Sequence, residues 1–338
     1  MPPISPSLPR VALIGTGGTL STISRHELDL FDYGDAATIL EPQALPKQLP
    51  QLGRLVDLVP ISFRAMDSLH ITRSDWLALE RTIREVVIES GPFDGIVVTH
   101  GTGTLEETAY FLNLTVKTPA TVTLVGAFQP WNTFGSDGPL NLLNAVRVAI
   151  APQAKGCGVL TLLQNEIHAA RDVGKEIGFR SHGFRSPELG MLGWVGPDGV
   201  VSIYRRPTRL HTIATEFDLR NITSLPRVEI VSAYAEAGRE AIDAFAAAGV
   251  QGVVVAGFAT GRPAPLQEDA LETAYRRGMR IFLSTRSGHS TVPRHGSLSQ
   301  RGFVSADNLS PPKARVLAML GLAVTDDPRR LQEIFDRY

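Results

Sequence analysis

Short apolar runs alternate with amphipathic segments along most of the chain. The apolar runs predict buried strands at residues 11–14, 58–61, 95–99, 121–126, 159–163, 228–231, 252–258 and 281–284. Apolar positions at helical spacing predict helices at 76–87, 104–114, 141–151, 238–248, 267–277, 313–320 and 328–335. Thr72 with Asp75, and Thr104 with Glu107, have the spacing of capping boxes at two helix starts.

Regular alternation of strand and helix is typical of α/β proteins with parallel sheets. The pattern weakens over 177–226, which is rich in Gly, Pro, Arg and Thr. We therefore predict an N-terminal domain over 1–205, a linker over 206–226 and a C-terminal domain over 227–338. The larger N-terminal domain is predicted to be flavodoxin-like or Rossmann-like, and the C-terminal domain is a smaller α/β unit.

Composition narrows the function classes. The chain has 338 residues, 43% of them hydrophobic, and a net charge of −1. Such a balance argues against nucleic acid or a membrane surface as the main partner. One cysteine excludes an intrachain disulfide. The chain has no run near the ~20 apolar residues of a membrane helix and no signal-peptide pattern, so a cytoplasmic location is expected.

Two turns rich in glycine and threonine follow predicted strands. Gly15-Thr16-Gly17-Gly18-Thr19 follows the strand at 11–14, and His100-Gly101-Thr102-Gly103-Thr104 follows the strand at 95–99. Open α/β sheets bind ligands at the carboxyl ends of their strands, so we expect both turns to face one pocket.

Several familiar chemistries do not match these turns. The third position of a dinucleotide fingerprint is Leu20, and no Gly-Lys-Ser/Thr of a phosphate loop occurs. His-Glu-x-x-His and Gly-x-Ser-x-Gly are also missing from the sequence. A threonine nucleophile for acyl transfer on a small anionic substrate remains, and it needs a lysine, a tyrosinate or a carboxylate as base. Ordinary tight turns remain the alternative.

Taken together, the two turns resemble the bacterial-type L-asparaginase family. The resemblance rests on Thr16-Gly17-Gly18-Thr19 and on His100-Gly101-Thr102-x-Thr104-Leu105-Glu106-Glu107-Thr108. It extends over nearly the whole chain through Asp67-Ser68, Asp75-Trp76-Leu77, Ser136-Asp137-Gly138-Pro139-Leu140-Asn141-Leu142, Arg171-Asp172-Val173-x-Lys175, Gly302-Phe303-Val304 and Pro312-Lys313-Ala314-Arg315-Val316-Leu317.

The resemblance implies a catalytic set. Thr19 matches the nucleophile, which forms an acyl-enzyme with loss of ammonia. Tyr33 lies in the predicted loop 20–35. Its separation from Thr19 along the chain is about that of the family's tyrosine that assists the nucleophile. Thr102 and Lys175 match the second threonine and its lysine, which polarise the nucleophile or the hydrolytic water.

The resemblance also implies a substrate-binding set. Ser68 matches the residue that holds the substrate α-carboxylate. The backbone at Gly18, Thr102 and Ala127 supplies further contacts, and the remaining members of the predicted set are Leu69, Gly101 and Gly103.

Three departures from the family concern the substrate α-ammonium. Gly103 stands where the family has an aspartate, and Leu69 stands where it often has a polar residue. Residues 295–299 lack the acidic residue expected from a neighbouring subunit. Because the nucleophile and the lysine are kept, we hypothesise amidohydrolase chemistry with altered recognition of the α-amino group.

The leading interpretation is an L-asparagine amidohydrolase without cofactor or metal. The alternatives are an amidase for a related small amide and a weakly active amino-acid-binding homologue. The resemblance further implies a small-molecule partner, no nucleic acid or membrane partner, and a homotetramer built as a dimer of dimers.

Overall fold

The computed structural model describes residues 7–31, 33, 37–180, 182–288, 290–294 and 296–338. The chain divides into two compact units between Ala214 and Thr215. In the first unit the strands are β1 Arg10–Gly17, β2 Thr22–Ile23, β3 Thr38–Ile39, β4 Asp57–Met66, β5 Gly95–Thr99, β6 Thr121–Val125, β7 Val159–Leu163, β8 Glu166–Ala169, β9 Gly174–Lys175, β10 Phe184–Arg185, β11 Gly193–Val195 and β12 Val201–Ile203. Its helices are α1 Leu45–Gln48, α2 Arg73–Thr82, α3 Leu105–Thr115 and α4 Gly138–Ile150.

Eight strands of this unit form one sheet in the order β12-β11-β8-β7-β6-β5-β1-β4. The run from β4 to β7 is parallel throughout. Numbered along the chain, these five strands have the order 2-1-3-4-5, which is flavodoxin-like. The α/β prediction is therefore confirmed, and the apolar run at the centre of β1 is fully buried, as are the facing residues of β5.

The antiparallel part of the sheet was not predicted. Strands β8, β11 and β12 extend the sheet beyond β7 with antiparallel pairing. They have three or four residues each, which is too short for a periodic pattern to be recognisable. A separate two-stranded hairpin, β9 with β10, carries Lys175.

The two predicted helix caps have different outcomes. At the start of α2, the Thr72 side chain and Asp75 form the expected reciprocal capping box. The helix then continues as a π-helical segment, Ile83–Ile88. At the start of α3 the capping-box prediction is wrong, because Thr104 makes no side-chain cap and its hydroxyl donates to the carbonyl oxygen of Ser68 at 2.8 Å.

The second unit has its own parallel sheet and its own core. Its strands are β13 Val228–Ser232, β14 Gly252–Gly257, β15 Arg280–Thr285 and β16 Val304–Ser305, paired in that order. Its helices are α5 Glu240–Ala247, α6 Pro265–Arg276, α7 Gly296–Gln300, α8 Pro311–Val324 and α9 Pro328–Arg337. Of the segment 295–299, His295 lies outside the described residues and the rest begins α7.

No helix in the described ranges has both the length and the apolar character needed to cross a membrane.

The predicted loop 20–35 contains one short strand, because β2 lies within it and pairs antiparallel with β3. Residues 32, 34 and 35 of that loop lie outside the described residues.

Candidate active site

The end of β1 turns sharply towards the neighbouring loops. Gly17 and Gly18 have φ angles of 97° and 79°, a region that favours glycine. A Cβ atom at Gly18 would lie 2.3 Å from the backbone nitrogen of Gly101. The close approach of two backbones therefore requires glycine here, and it directs the chain into the short 3-10 helix Thr19–Ser21.

A third loop joins the two predicted turns. It follows β4 and contains Ser68, whose Oγ lies 2.6 Å from the position that a Cβ atom of Gly101 would take. The loops after β1, β4 and β5 thus meet at the carboxyl ends of adjacent parallel strands. Strand order reverses between β1 and β5, which is where doubly wound sheets place their ligand site.

A cavity of about 270 Å³ opens at this junction. Its described lining consists of Gly18, Thr19, Thr22, Tyr33, Ala37, Ile39, Asp67, Ser68, Leu69, Gly101, Thr102, Gly103 and Lys175. Nine of the ten residues predicted for the site are in this set. Ala127 is the exception, since it is buried in the core of the first unit and does not line the cavity.

Thr19 and Tyr33 form the first polar pair of the cavity. The hydroxyl oxygens of the two side chains are 3.0 Å apart, and either one can be the donor. Both residues are partly buried, so the pair is shielded on one side and open to the cavity on the other. This contact joins the turn after β1 to the loop that precedes β3.

Thr102 and Lys175 form the second polar pair. Lys175 Nζ donates to Thr102 Oγ1 at 2.8 Å. The hairpin is held in place because the Lys175 backbone N–H donates to a carboxylate oxygen of Glu106 at 2.7 Å. The Lys175 ammonium also lies 5.5 Å from the centre of the Phe128 ring, within the range of a cation–π contact.

Burial lowers the pKa of the Lys175 amine below its usual value, and the Glu106 charge partly opposes this shift. Desolvation disfavours the ammonium form, while a nearby carboxylate favours it. Desolvation is the larger effect, so the amine loses its proton more readily than an exposed lysine does. Lys175 is thereby suited to exchange a proton with the Thr102 hydroxyl.

Ser68 is buried and held by two backbone contacts. Its Oγ accepts from the Gly103 N–H at 3.1 Å, and its carbonyl accepts from Thr104. Because the Ser68 oxygen is used as an acceptor here, its own proton can be donated to a ligand. Leu69 beside it is 73% exposed, and its side chain faces the cavity.

His100, which the sequence favours as a packing or turn residue, is buried beneath the second turn's backbone and bonded to it. Its Nδ1 is 2.8 Å from the Gly101 carbonyl oxygen, which can only accept. Burial lowers the pKa of His100 to about 4. The imidazole is therefore neutral near pH 7, with its proton on Nδ1.

Sequence reasoning missed several residues of the site. Thr22, Ala37, Ile39 and Asp67 line the cavity. Of these, Asp67 had a signal in the sequence, because it directly precedes Ser68 in the Asp67-Ser68 motif. The supporting roles of Glu106 and Phe128 had no local signal, because each depends on contact with a residue far along the chain. Among the described residues, no group of three or more His, Cys, Asp or Glu side chains is arranged to hold a metal ion.

The chain is similar to known proteins along most of its length. The family model described as "Asparaginase, N-terminal" matches residues 10–209, and the "Glutaminase/Asparaginase C-terminal domain" matches residues 227–335. L-asparaginase 2 of Bacillus subtilis is 35% identical over 331 residues, covering 98% of this chain and 87% of the relative. A glutaminase-asparaginase of Pseudomonas fluorescens is 36% identical over 334 residues, covering 98% and 91%.

A solved structure also matches along the full length. The crystal structure of a probable cytoplasmic L-asparaginase from Campylobacter jejuni has a TM-score of 0.94 and 37% sequence identity, covering 98% of this chain and 100% of that one. Because two domain models and relatives at 35–37% identity match nearly the whole chain, the chain belongs to the asparaginase family.

Proposed function

We propose that the protein hydrolyses L-asparagine to L-aspartate and ammonia through an acyl-threonine intermediate. The observation that carries the proposal is the presence of two hydrogen-bonded pairs, Thr19 with Tyr33 and Thr102 with Lys175, on one cavity. Neither pair requires a cofactor, since water and an acyl-enzyme suffice for amide hydrolysis.

In the first half-reaction, the Thr19 hydroxyl oxygen attacks the carbon of the side-chain amide. Its proton moves to the Tyr33 oxygen while the Tyr33 proton moves to the amide nitrogen, which leaves as ammonia. The 3.0 Å contact between the two hydroxyls supports this relay. In this proposal, backbone N–H groups of the turns at Gly18 and Gly101 stabilise the negative charge that develops on the amide oxygen.

In the second half-reaction, water attacks the ester on Thr19. The neutral Lys175 amine takes a proton from the water through the Thr102 hydroxyl and returns a proton to the Thr19 oxygen as the ester breaks. The lowered pKa of Lys175 supports this role, because the neutral amine is then more accessible near neutral pH. Thr19 is regenerated and L-aspartate is released.

Substrate orientation belongs to the same proposal. The Ser68 hydroxyl donates to the α-carboxylate, and the backbone of Thr102 adds a further contact, whereas Ala127 is excluded because it does not line the cavity. L-Glutamine is the second substrate to test, because the Pseudomonas fluorescens relative is named a glutaminase-asparaginase. A cytoplasmic location is proposed on the name of the Campylobacter jejuni protein.

The test is ammonia release from L-asparagine and L-glutamine by the wild type, Thr19→Ala and Thr19→Ser. Thr19→Ala is expected to lose at least about 1,000-fold in kcat, as for removal of other catalytic nucleophiles. Thr19→Ser keeps a hydroxyl and controls for folding, so it should retain measurable turnover. Mass spectrometry of acid-quenched enzyme should find the acyl group on the peptide containing Thr19. An unchanged rate in Thr19→Ala would refute the mechanism.

A further inference from the structure

Asp67 has a distinct place in the cavity. It follows β4 directly, caps the 3-10 helix Ser68–His70 and lines the same cavity as Thr19. Among the described lining residues, Asp67 carries the one carboxylate and Lys175 the one amine. Lys175 donates to Thr102, and Asp67 is the other charged side chain of this described lining.

The Asp67 carboxylate has capacity to bind a ligand. Its Oδ1 accepts the backbone N–H of Leu69 at 3.0 Å, which holds the side chain in a defined position. Within the described part of the chain, its Oδ2 accepts no hydrogen bond. Asp67 is exposed, and an ionised carboxylate offers about four acceptor positions, so most of its acceptor capacity remains open.

The cavity lining at Leu69 and Gly103, close to Asp67 and Ser68, carries no charged side chain. A Cβ atom at Gly103 would lie 2.9 Å from Ser68 Oγ and 3.1 Å from Leu69 Cδ2. The Leu69 side chain thus occupies the space into which a side chain at position 103 would extend. Neither the Leu69 side chain nor Gly103 offers a negative charge that could offset a positive charge on the substrate.

The position of Ser68 limits where the substrate ammonium can lie. In an α-amino acid the carboxylate and the ammonium share one carbon, so both lie within a few ångströms of each other. If Ser68 holds the carboxylate, the ammonium must find its counter-ion beside Ser68. An ammonium removed from water without a partner is costly, and the adjacent carboxylate is that of Asp67.

We propose that Asp67 binds the α-ammonium of the substrate and thereby selects amides of α-amino acids over monoamides that lack the amino group. The inference rests on the proposed function for the orientation of the substrate. Selection works in both directions, because the Asp67 charge attracts an ammonium and repels the carboxylate of a ligand that has no ammonium to offset it. Asp67 is in this sense a specificity-determining residue.

The experiment measures binding of two ligands that are not turned over, L-aspartate and succinate, by calorimetry. Succinate is L-aspartate without its amino group. Asp67→Asn removes the charge, and its amide oxygen can still accept the Leu69 N–H. The dissociation constant for L-aspartate is expected to rise about tenfold, which corresponds to about 1.4 kcal/mol. The dissociation constant for succinate is expected to stay constant or fall.

Two further variants serve as controls. Asp57→Asn removes the same charge from the other end of β4, where the side chain is exposed and far along the strand from the cavity loop, and should change neither constant. Asp67→Glu keeps the charge and should keep the preference for L-aspartate. If Asp67 had only a structural role, Asp67→Asn would raise the dissociation constants of L-aspartate and succinate by the same factor.

The assignment is overturned if L-aspartate does not lose affinity relative to succinate in Asp67→Asn, or if the wild type does not bind L-aspartate. Failure of the proposed function would look different. A protein that binds L-aspartate through Asp67 but releases no ammonia from L-asparagine would refute the hydrolase mechanism and leave the role of Asp67 standing.

Discussion

Lys175 illustrates how single residues of this site are tuned by opposing effects. Its amine is partly withdrawn from water, which lowers its pKa, while Glu106 acts in the opposite direction. Glu106 also binds the backbone of Lys175, so the residue that positions the lysine limits how far its pKa falls. The result is an amine that lies 2.8 Å from the Thr102 hydroxyl oxygen and has a lowered pKa.

The pH dependence of turnover follows from this balance. Because the neutral amine is the active form in hydrolysis of the acyl-enzyme, kcat for L-asparagine is expected to rise with pH, with an apparent pKa below the ordinary lysine value of about 10.4. Lys175→Arg keeps a permanent charge and should lose about 100-fold or more in activity, with no rising limb. Ammonia release measured across pH 6 to 10 tests this, with Lys155→Arg as the control. A Lys175→Arg profile that overlays the wild type would contradict it.

We expect His100 to make the stability of the folded protein sensitive to acid. Its folded-state pKa of about 4 lies below the ordinary value of 6.5, so the unfolded chain binds a proton that the folded protein refuses. The free energy of unfolding should therefore fall as pH drops from 6.5 to 4, by up to about 3 kcal/mol from this group.

Denaturant titrations of wild type and His100→Asn at pH 7 and pH 4.5 measure this contribution. The difference between the two pH values should be smaller in His100→Asn. His26→Asn, at an exposed histidine, is the matched control. Equal pH dependence in wild type and His100→Asn would rule out this role.

At the scale of elements, local patterns and tertiary contacts compete for the same side chains. Thr72 and Thr104 have the same local pattern, yet Thr72 caps α2 while the Thr104 hydroxyl is bonded to the loop after β4. The difference arises because α3 begins at the cavity, where the loops of three strands meet. The sequence around Thr104 therefore predicts the start of α3 correctly and its capping contact incorrectly.

The α2 cap gives a stability prediction. The Asp75 N–H donates to Thr72 Oγ1 at 3.2 Å, and the Thr72 N–H donates to Asp75 Oδ2 at 2.9 Å. Thr72→Ala removes the first of these bonds, together with the bond that the Thr72 hydroxyl donates to Asp75 Oδ2 at 2.6 Å, and should lower the free energy of unfolding by about 1 kcal/mol. Thr72→Ser retains the hydroxyl and should lose less than half of that. Urea denaturation of the three proteins measures the effect, and equal stability of all three would argue against the cap.

At the scale of the whole molecule, two units share one chain, the first with a mixed sheet and the second with a parallel one. The described lining of the cavity comes entirely from the first unit. We propose the dimer-of-dimers homotetramer that the family resemblance implies, in which a neighbouring subunit completes the site.

Sedimentation should therefore give about 146 kDa, four times the chain mass of 36.5 kDa. Activity per chain should fall when dilution dissociates the assembly. Full activity of a species that sediments at 36.5 kDa would exclude an essential contribution from a second subunit.

The sequence by itself determined the parallel strands, most of the helices and the two glycine-threonine turns, because each depends on periodicity or backbone freedom within a few residues. Tertiary structure decided which side chains meet. Lys175 reaches Thr102 across 73 positions, and Asp67 lines the cavity while Ala127 does not. Such contacts depend on how loops from three different strands converge, and no local pattern encodes that geometry. The three short antiparallel strands β8, β11 and β12 likewise depend on tertiary structure, because they form by pairing outward from β7 at the edge of the parallel strands.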